Sequence, residues 1–137
     1  MKFLLTDEPL SSQETGLTFL RILTGLLMAY HGLDSFDPAT MAEYNTWEVL
    51  QKIPYSGFMI ALGKWVELIA GLFLALGLFT RLSALCIAIV MTFVCFKVGN
   101  GRFYYEDQHP FIFAVLTLVW FFHGGGPWSL DRWLKKR

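Results

Sequence analysis

A chain of 137 residues with 55% hydrophobic and only 16% charged side chains, at a mean hydropathy of +0.48, is too apolar for an ordinary water-soluble domain of its size. Its eleven basic and eleven acidic residues cancel, and no run of Lys or Arg is long enough to follow a phosphate backbone, which argues against a nucleic-acid partner. A single all-α, membrane-embedded domain over residues 1–137 is expected, with the lipid bilayer as its solvent.

The amino-terminal stretch MKFLLTDEPLSSQETG meets Asp7, Glu8 and Pro9 before an apolar core of signal-peptide length develops, so the first hydrophobic span is expected to stay as an anchor. Ser11 and Ser12, followed by Gln13 and Glu14, offer caps for the helix that leads into it. That span covers residues 17–33, LTFLRILTGLLMAYHGL. Arg21, Thr24, Met28 and His31 recur in it at spacings that place them on one stripe. Arg21 and His31 lie towards opposite ends, where snorkelling to the headgroups and burial in a bundle are both open to them.

From Asp34 to Gly57 the chain turns polar and acidic, and Asp37 followed by Pro38 is a helix start with Pro at the first helical position. Met41, Tyr44, Trp47 and Leu50 give that helix a short apolar edge, which suits an interfacial helix in the first external loop. It is either a lid over the bundle mouth or a surface helix anchored by an aromatic side chain.

The second span covers residues 58–79, FMIALGKWVELIAGLFLALGLF, and carries Lys64 and Glu67 at i and i+3 on one helix face. A charge near the bilayer centre costs roughly 2.5–3.5 kcal/mol, so both are expected to face a protein interior or a wet cavity. Gly63, Ala70 and Gly77 recur at heptad spacing and offer a line along which another helix can come close. The tight connection FTRLSAL then makes the third span, residues 82–98, an antiparallel neighbour. Cys86 and Cys95 sit about 13 Å apart along that helix, beyond disulfide reach, and are read as packing residues.

The loop NGRFYYEDQ is rich in interfacial aromatics. His109 and Pro110 open a fourth span, residues 108–124, whose uninterrupted apolar run is short but which extends to about 25 Å of helix. Gly124, Gly125, Gly126 and Pro127 end it, and WSLDRWLKKR forms an amphipathic C-terminal tail. The expected architecture is an integral membrane bundle of four transmembrane helices. With four spans both termini share a side, and that side holds Lys2, Arg21, Arg81, Arg132, Lys135, Lys136 and Arg137. The positive-inside rule places it in the cytoplasm and puts the His31, Asp34, Trp47, Arg102 and His109 ends outside.

An Arg early in the first span, His31 and Gly32 at its end, Glu67 in a second span closing in GLFLALGLFTRLSAL, and the later segment GPWSLDRWL form a recognisable set. On these residues the chain resembles the DoxX family of small four-helix membrane proteins, over residues 17–134, with GLFTRLSAL the most specific piece. The family includes the small membrane subunit of thiosulfate:quinone oxidoreductase. The resemblance implies a four-helix bundle in a prokaryotic inner membrane and a place in an oxidoreductase system. Family members often carry a basic residue a few positions after the His-Gly pair. This chain has Asp34, which counts against an anion site at that end.

Matching depth along antiparallel helices puts Glu67 level with Thr24 and within reach of Arg21, so a buried polar cluster of Arg21, Lys64 and Glu67 is expected. Such a cluster either fixes helix register or forms a site for a quinone headgroup or a proton path. His31 and His109 approach the outer face on different helices, as haem ligands do, but histidines at helix ends are mostly interfacial and haem is not expected. There is no Cys-x-x-Cys pair, Gly-rich phosphate loop, nucleophile elbow or zinc signature in the sequence, so no metal is expected and quinone is the cofactor that the residues leave open. The leading reading is an inner-membrane subunit of an oxidoreductase system, incomplete as an enzyme without a partner subunit. The alternatives are a small carrier or channel that forms a homodimer along Gly63, Ala70 and Gly77, and a non-catalytic assembly factor.

Overall fold

Hydropathy and turn chemistry give a chain of helices, and the computed structural model describes residues 13–136. The expectations placed on residues 1–12, the caps at Ser11 and Ser12 and the basic residue Lys2 among them, lie outside the described residues, as does Arg137. In chain order the elements are α1 (Gln13–Gly32), a single 3-10 turn (Leu33–Phe36), α2 (Pro38–Tyr44), α3 (Glu48–Gln51), α4 (Ser56–Leu76), α5 (Thr80–Phe93), a π-helical turn that continues it (Val94–Val98), α6 (Gln108–His123) and α7 (Leu130–Lys135). Every regular element among the described residues is helical.

Three stretches are long and apolar enough to cross a membrane: Gln13–Phe36, Ser56–Leu76 and Thr80–Val98. Their outward faces carry Leu26, Ile69 and Ile89, each about half exposed, as side chains are when hydrocarbon takes the place of water. The fourth expected span is present as α6, apolar but only 16 residues long. Its rise of about 24 Å falls short of a hydrocarbon core of about 30 Å. It stops at Gly124, whose φ of 83° leaves the helical region.

The second span ends earlier than its apolar run. Gly77 adopts φ 67°, its N–H reaches Leu74 O at 3.1 Å, and Leu78 N–H reaches Phe73 O at 2.9 Å, which is the Schellman way of closing a helix. Phe79 is left-handed as well, at φ 44°, and the two residues together reverse the chain into α5 as the expected antiparallel neighbour.

Gly63, Ala70 and Gly77 do not act as one line. Gly63 faces open space, Ala70 is buried in the core, and Gly77 is taken up by the turn against Ser129 and Arg21. The close approach lies instead inside the chain, between α1 and α4. A Cβ at Gly25 would stand 2.4 Å from Ala75 N, and one at Gly71 would stand 2.5 Å from Ala29 N. One at Gly32 would stand 2.3 Å from Leu68 N, so only glycine lets the two backbones meet along this seam. α1 therefore packs chiefly on α4, and α5 chiefly on α6, with Met28, Leu74, Ile87 and Trp120 filling the middle. Cys95 is buried and Cys86 half-buried, both as free thiols in this packing.

Candidate functional site

The charged residues expected to form one cluster divide between the two ends of the bundle. Arg21 is 1% exposed and donates to the carbonyl oxygens of Gly125, of Trp128 at 2.8 Å and of Ala75 at 3.5 Å. Glu67 stands eight residues before Ala75, about 12 Å away along α4. The depth match failed because the glycine seam, rather than the span ends, sets the register: Gly25 lies against Gly71 and Ala75, and Gly32 against Leu68. Glu67 is thereby level with the last turn of α1, and Arg21 is left to the carboxyl end of α4, where the helix dipole favours a cation.

At that same end the tail is sewn to the α4–α5 turn. Asp131 N–H donates to Gly77 O at 2.9 Å. The Asp131 carboxylate accepts from Phe79 N at 2.7 Å, from Thr80 N at 2.9 Å and from Thr80 Oγ1 at 2.7 Å. Burial pushes this carboxyl up, but the hydrogen bonds from Thr80 and Phe79, with Lys135 nearby, outweigh burial and hold it below its ordinary value. The segments GLFTRLSAL and GPWSLDRWL are thus two halves of one joint. The sequence signal for it was the single acid in an otherwise basic tail.

The opposite end gathers a denser group. Lys64 Nζ lies 3.1 Å from Glu67 Oε2, 3.2 Å from Asp34 Oδ2 and 3.3 Å from the carbonyl oxygen of His31, so all three ammonium donors have acceptors. Tyr44 OH donates to Asp34 Oδ2 at 2.7 Å, and Lys64 Nζ sits 5.1 Å from the centre of the Tyr44 ring. Burial, together with the bond to Asp34, pushes the Tyr44 phenol up. Tyr44 is delivered by α2, which starts as expected: Pro38 occupies its first turn, and the Asp37 carboxylate accepts from Ala39 N at 3.1 Å and Thr40 Oγ1 at 2.6 Å.

Of the other residues at this end of the bundle, His31 and His109 meet edge to face with ring centroids 5.3 Å apart, and His109 also abuts Phe113 at 5.0 Å. No group of three His, Cys, Asp or Glu side chains suited to a metal comes together among the described residues. Trp47 stacks at right angles on Tyr44 at 5.1 Å and so joins the rim of the cluster. Arg102 does not join it; it pairs with Glu106 at 3.4 Å on an exposed loop. Asp107, which the sequence did not single out, holds that loop by accepting from Asn100 N and Arg102 N, both at 2.9 Å.

Between α4 and the carboxyl-terminal half of α5 lies a cavity of 470 Å³, with Leu50 and Ile53 among the residues that close it. Ile60, Val90, Phe93 and Val94 make its walls apolar, while Tyr44, Lys64 and Glu67 form a polar end. Glu67 is 4% exposed; Lys64 holds its Oε2, and its Oε1 accepts no hydrogen bond among the described residues. A volume of this size with one compact polar corner suits a ligand that has a small polar head and an apolar remainder.

The DoxX family model matches residues 16–100, a region that contains Arg21, Asp34, Tyr44, Lys64 and Glu67. An uncharacterised protein of Haemophilus influenzae is 26% identical over 124 residues, covering 84% of this chain and 87% of its own length. No solved structure matches significantly.

Proposed function

The chain belongs to the DoxX family, and from that premise we propose that it is an inner-membrane subunit of an oxidoreductase system that holds the head of a quinone beside Glu67. The observation that carries this reading is a buried carboxylate on a helix long and apolar enough to cross a membrane, with one oxygen bound by Lys64 and the other accepting no hydrogen bond among the described residues, at the end of an apolar cavity. Bound there, a quinone supplies two-electron, two-proton chemistry. Glu67 is placed to give or take a proton at Oε1. Lys64, pinned by Asp34, Glu67 and the His31 carbonyl, fixes the carboxylate's orientation. The apolar walls exclude water and accept an isoprenoid chain. A partner subunit completes the electron transfer.

In this arrangement α6 and the glycines that follow it form the fourth crossing, through local thinning of the bilayer. The termini lie on the cytoplasmic side, with Arg81, Arg132, Lys135 and Lys136. Glu67→Gln in the assembled complex, which keeps an acceptor for Lys64 beside Asp34, is expected to lower quinone-linked turnover at least roughly tenfold while the complex still folds and assembles. Unchanged turnover in that variant overturns the proposal.

A second reading rests on a different observation: Tyr44, Asp34, Lys64 and Glu67 form a hydrogen-bonded row that leads from the loop to the cavity. A row of ionisable groups is what a proton path or small carrier needs. Glu67-dependent flux into liposomes by the chain alone would favour it over the quinone subunit. Loss only of a partner's abundance on substitution of Lys64 and Glu67 would favour an assembly factor.

A further inference from the structure

Outside this site a second cavity, of 550 Å³, lies at the end of the bundle that carries the tail. Arg81, Arg132 and Lys135 line it, and none of their side chains has a hydrogen bond or ion pair among the described residues. Its one carboxylate, Asp131, is already engaged by Phe79 and Thr80, and its histidine, His123, pairs with Glu14 at 3.3 Å. Three cations therefore stand against two carboxylates that are already engaged, Asp131 within the cavity and Glu14 beside His123 at its edge. The wall opposite is the run of Gly124, Gly125 and Gly126, which adds no side chain. Gly124, at φ 83°, lies beside Arg81: a Cβ there would stand 3.8 Å from Arg81 Nε, in ordinary contact.

The rim has the other half of the chemistry. Phe79 and Leu82 line the cavity while remaining 59% and 60% exposed, and Trp128, exposed at the same end, is a residue type that sits at headgroup depth. We propose that this cavity holds the phosphate of an acidic phospholipid, with Arg81, Arg132 and Lys135 taking the charge and Phe79 and Leu82 meeting the glycerol and the first methylenes. Guanidinium groups bind phosphate oxygens in pairs, and basic recesses between helices at the membrane surface select anionic headgroups. The apolar rim is what distinguishes a lipid from a free phosphate ion, which has nothing to place there. This inference is independent of the chemistry at Glu67.

Thermal unfolding of the full chain in a neutral detergent tests it, with phosphatidylglycerol, phosphatidylcholine or inorganic phosphate added. Phosphatidylglycerol is expected to raise Tm by roughly 5 °C near saturation, and the other two are expected to leave it unchanged. The double variant Arg81→Gln/Arg132→Gln, altered only at exposed side chains, should fold and lose the gain; Lys52→Gln, at the other end, should keep it. A gain that survives in the double variant, or that phosphatidylcholine matches, overturns the proposal. An equal gain from inorganic phosphate assigns the cavity to a free anion and overturns the lipid.

Discussion

Asp131 closes the amino end of α5 through Thr80, accepting from its backbone N–H at 2.9 Å and its hydroxyl at 2.7 Å, so the last helix supplies a cap that Phe79 cannot give. Because the folded chain holds this carboxyl below its ordinary value of 3.8, its contribution is complete above that value and is lost as pH falls through the folded one. Asp131→Asn should therefore cost about 1 kcal/mol at neutral pH. Below about pH 4 the wild-type and variant melting temperatures should converge. Parallel curves across that range would show that the charge does not matter to the joint.

Arg21 is placed to bind the bundle to its tail rather than to do chemistry. Arg21→Met leaves the Gly125, Trp128 and Ala75 carbonyls without their donor and should cost roughly 3 kcal/mol in thermal unfolding. Trypsin should then cleave after Arg132 faster than in the wild type, because the tail is released. Arg21→Lys, a point donor in place of a planar fork, should fall between the two. Equal cleavage rates in all three would refute the role.

The seam between α1 and α4 makes a contrast that stability measurements can read. Gly25→Ala and Gly71→Ala each drive a methyl into opposing backbone and should cost about 1–3 kcal/mol. Gly63→Ala meets nothing within 4 Å and should be neutral or stabilising by up to about 1 kcal/mol. A cost at Gly63 equal to that at Gly71 would restore the heptad line as a packing surface.

Removing Lys64 leaves Glu67 and Asp34 facing each other with no cation between them. Lys64→Met should cost about 3–5 kcal/mol, and Lys64→Met combined with Glu67→Leu should recover most of it, since the pair gives way to apolar side chains of similar size. Additive losses in the double variant would mean that the two side chains contribute separately.

The sequence showed what hydropathy and spacing can carry. α1, α4 and α5 follow from their apolar runs, and the Lys64–Glu67 pair follows from its three-residue offset. Leu78 and Phe79 extend the apolar run of the second span, and only the left-handed backbone at Gly77 and Phe79 takes them out of its helix. Asp34 and Tyr44 join Lys64 because the capped α2 folds back over the 3-10 turn and α4, and no periodicity records a fold-back. Arg21 lies away from Glu67 because register follows from backbone contact at Gly25, Gly32 and Gly71, which the start and stop of each hydrophobic stretch do not encode.

The two halves of the molecule are tethered unequally. Arg21 and Asp131 rivet α1, α4 and α5 to the tail at one end, while at the other the 470 Å³ cavity parts α4 from α5. Any parting of α4 from α5 is therefore expected at the cavity end, the side from which a long-tailed molecule would have to slip in sideways from the lipid.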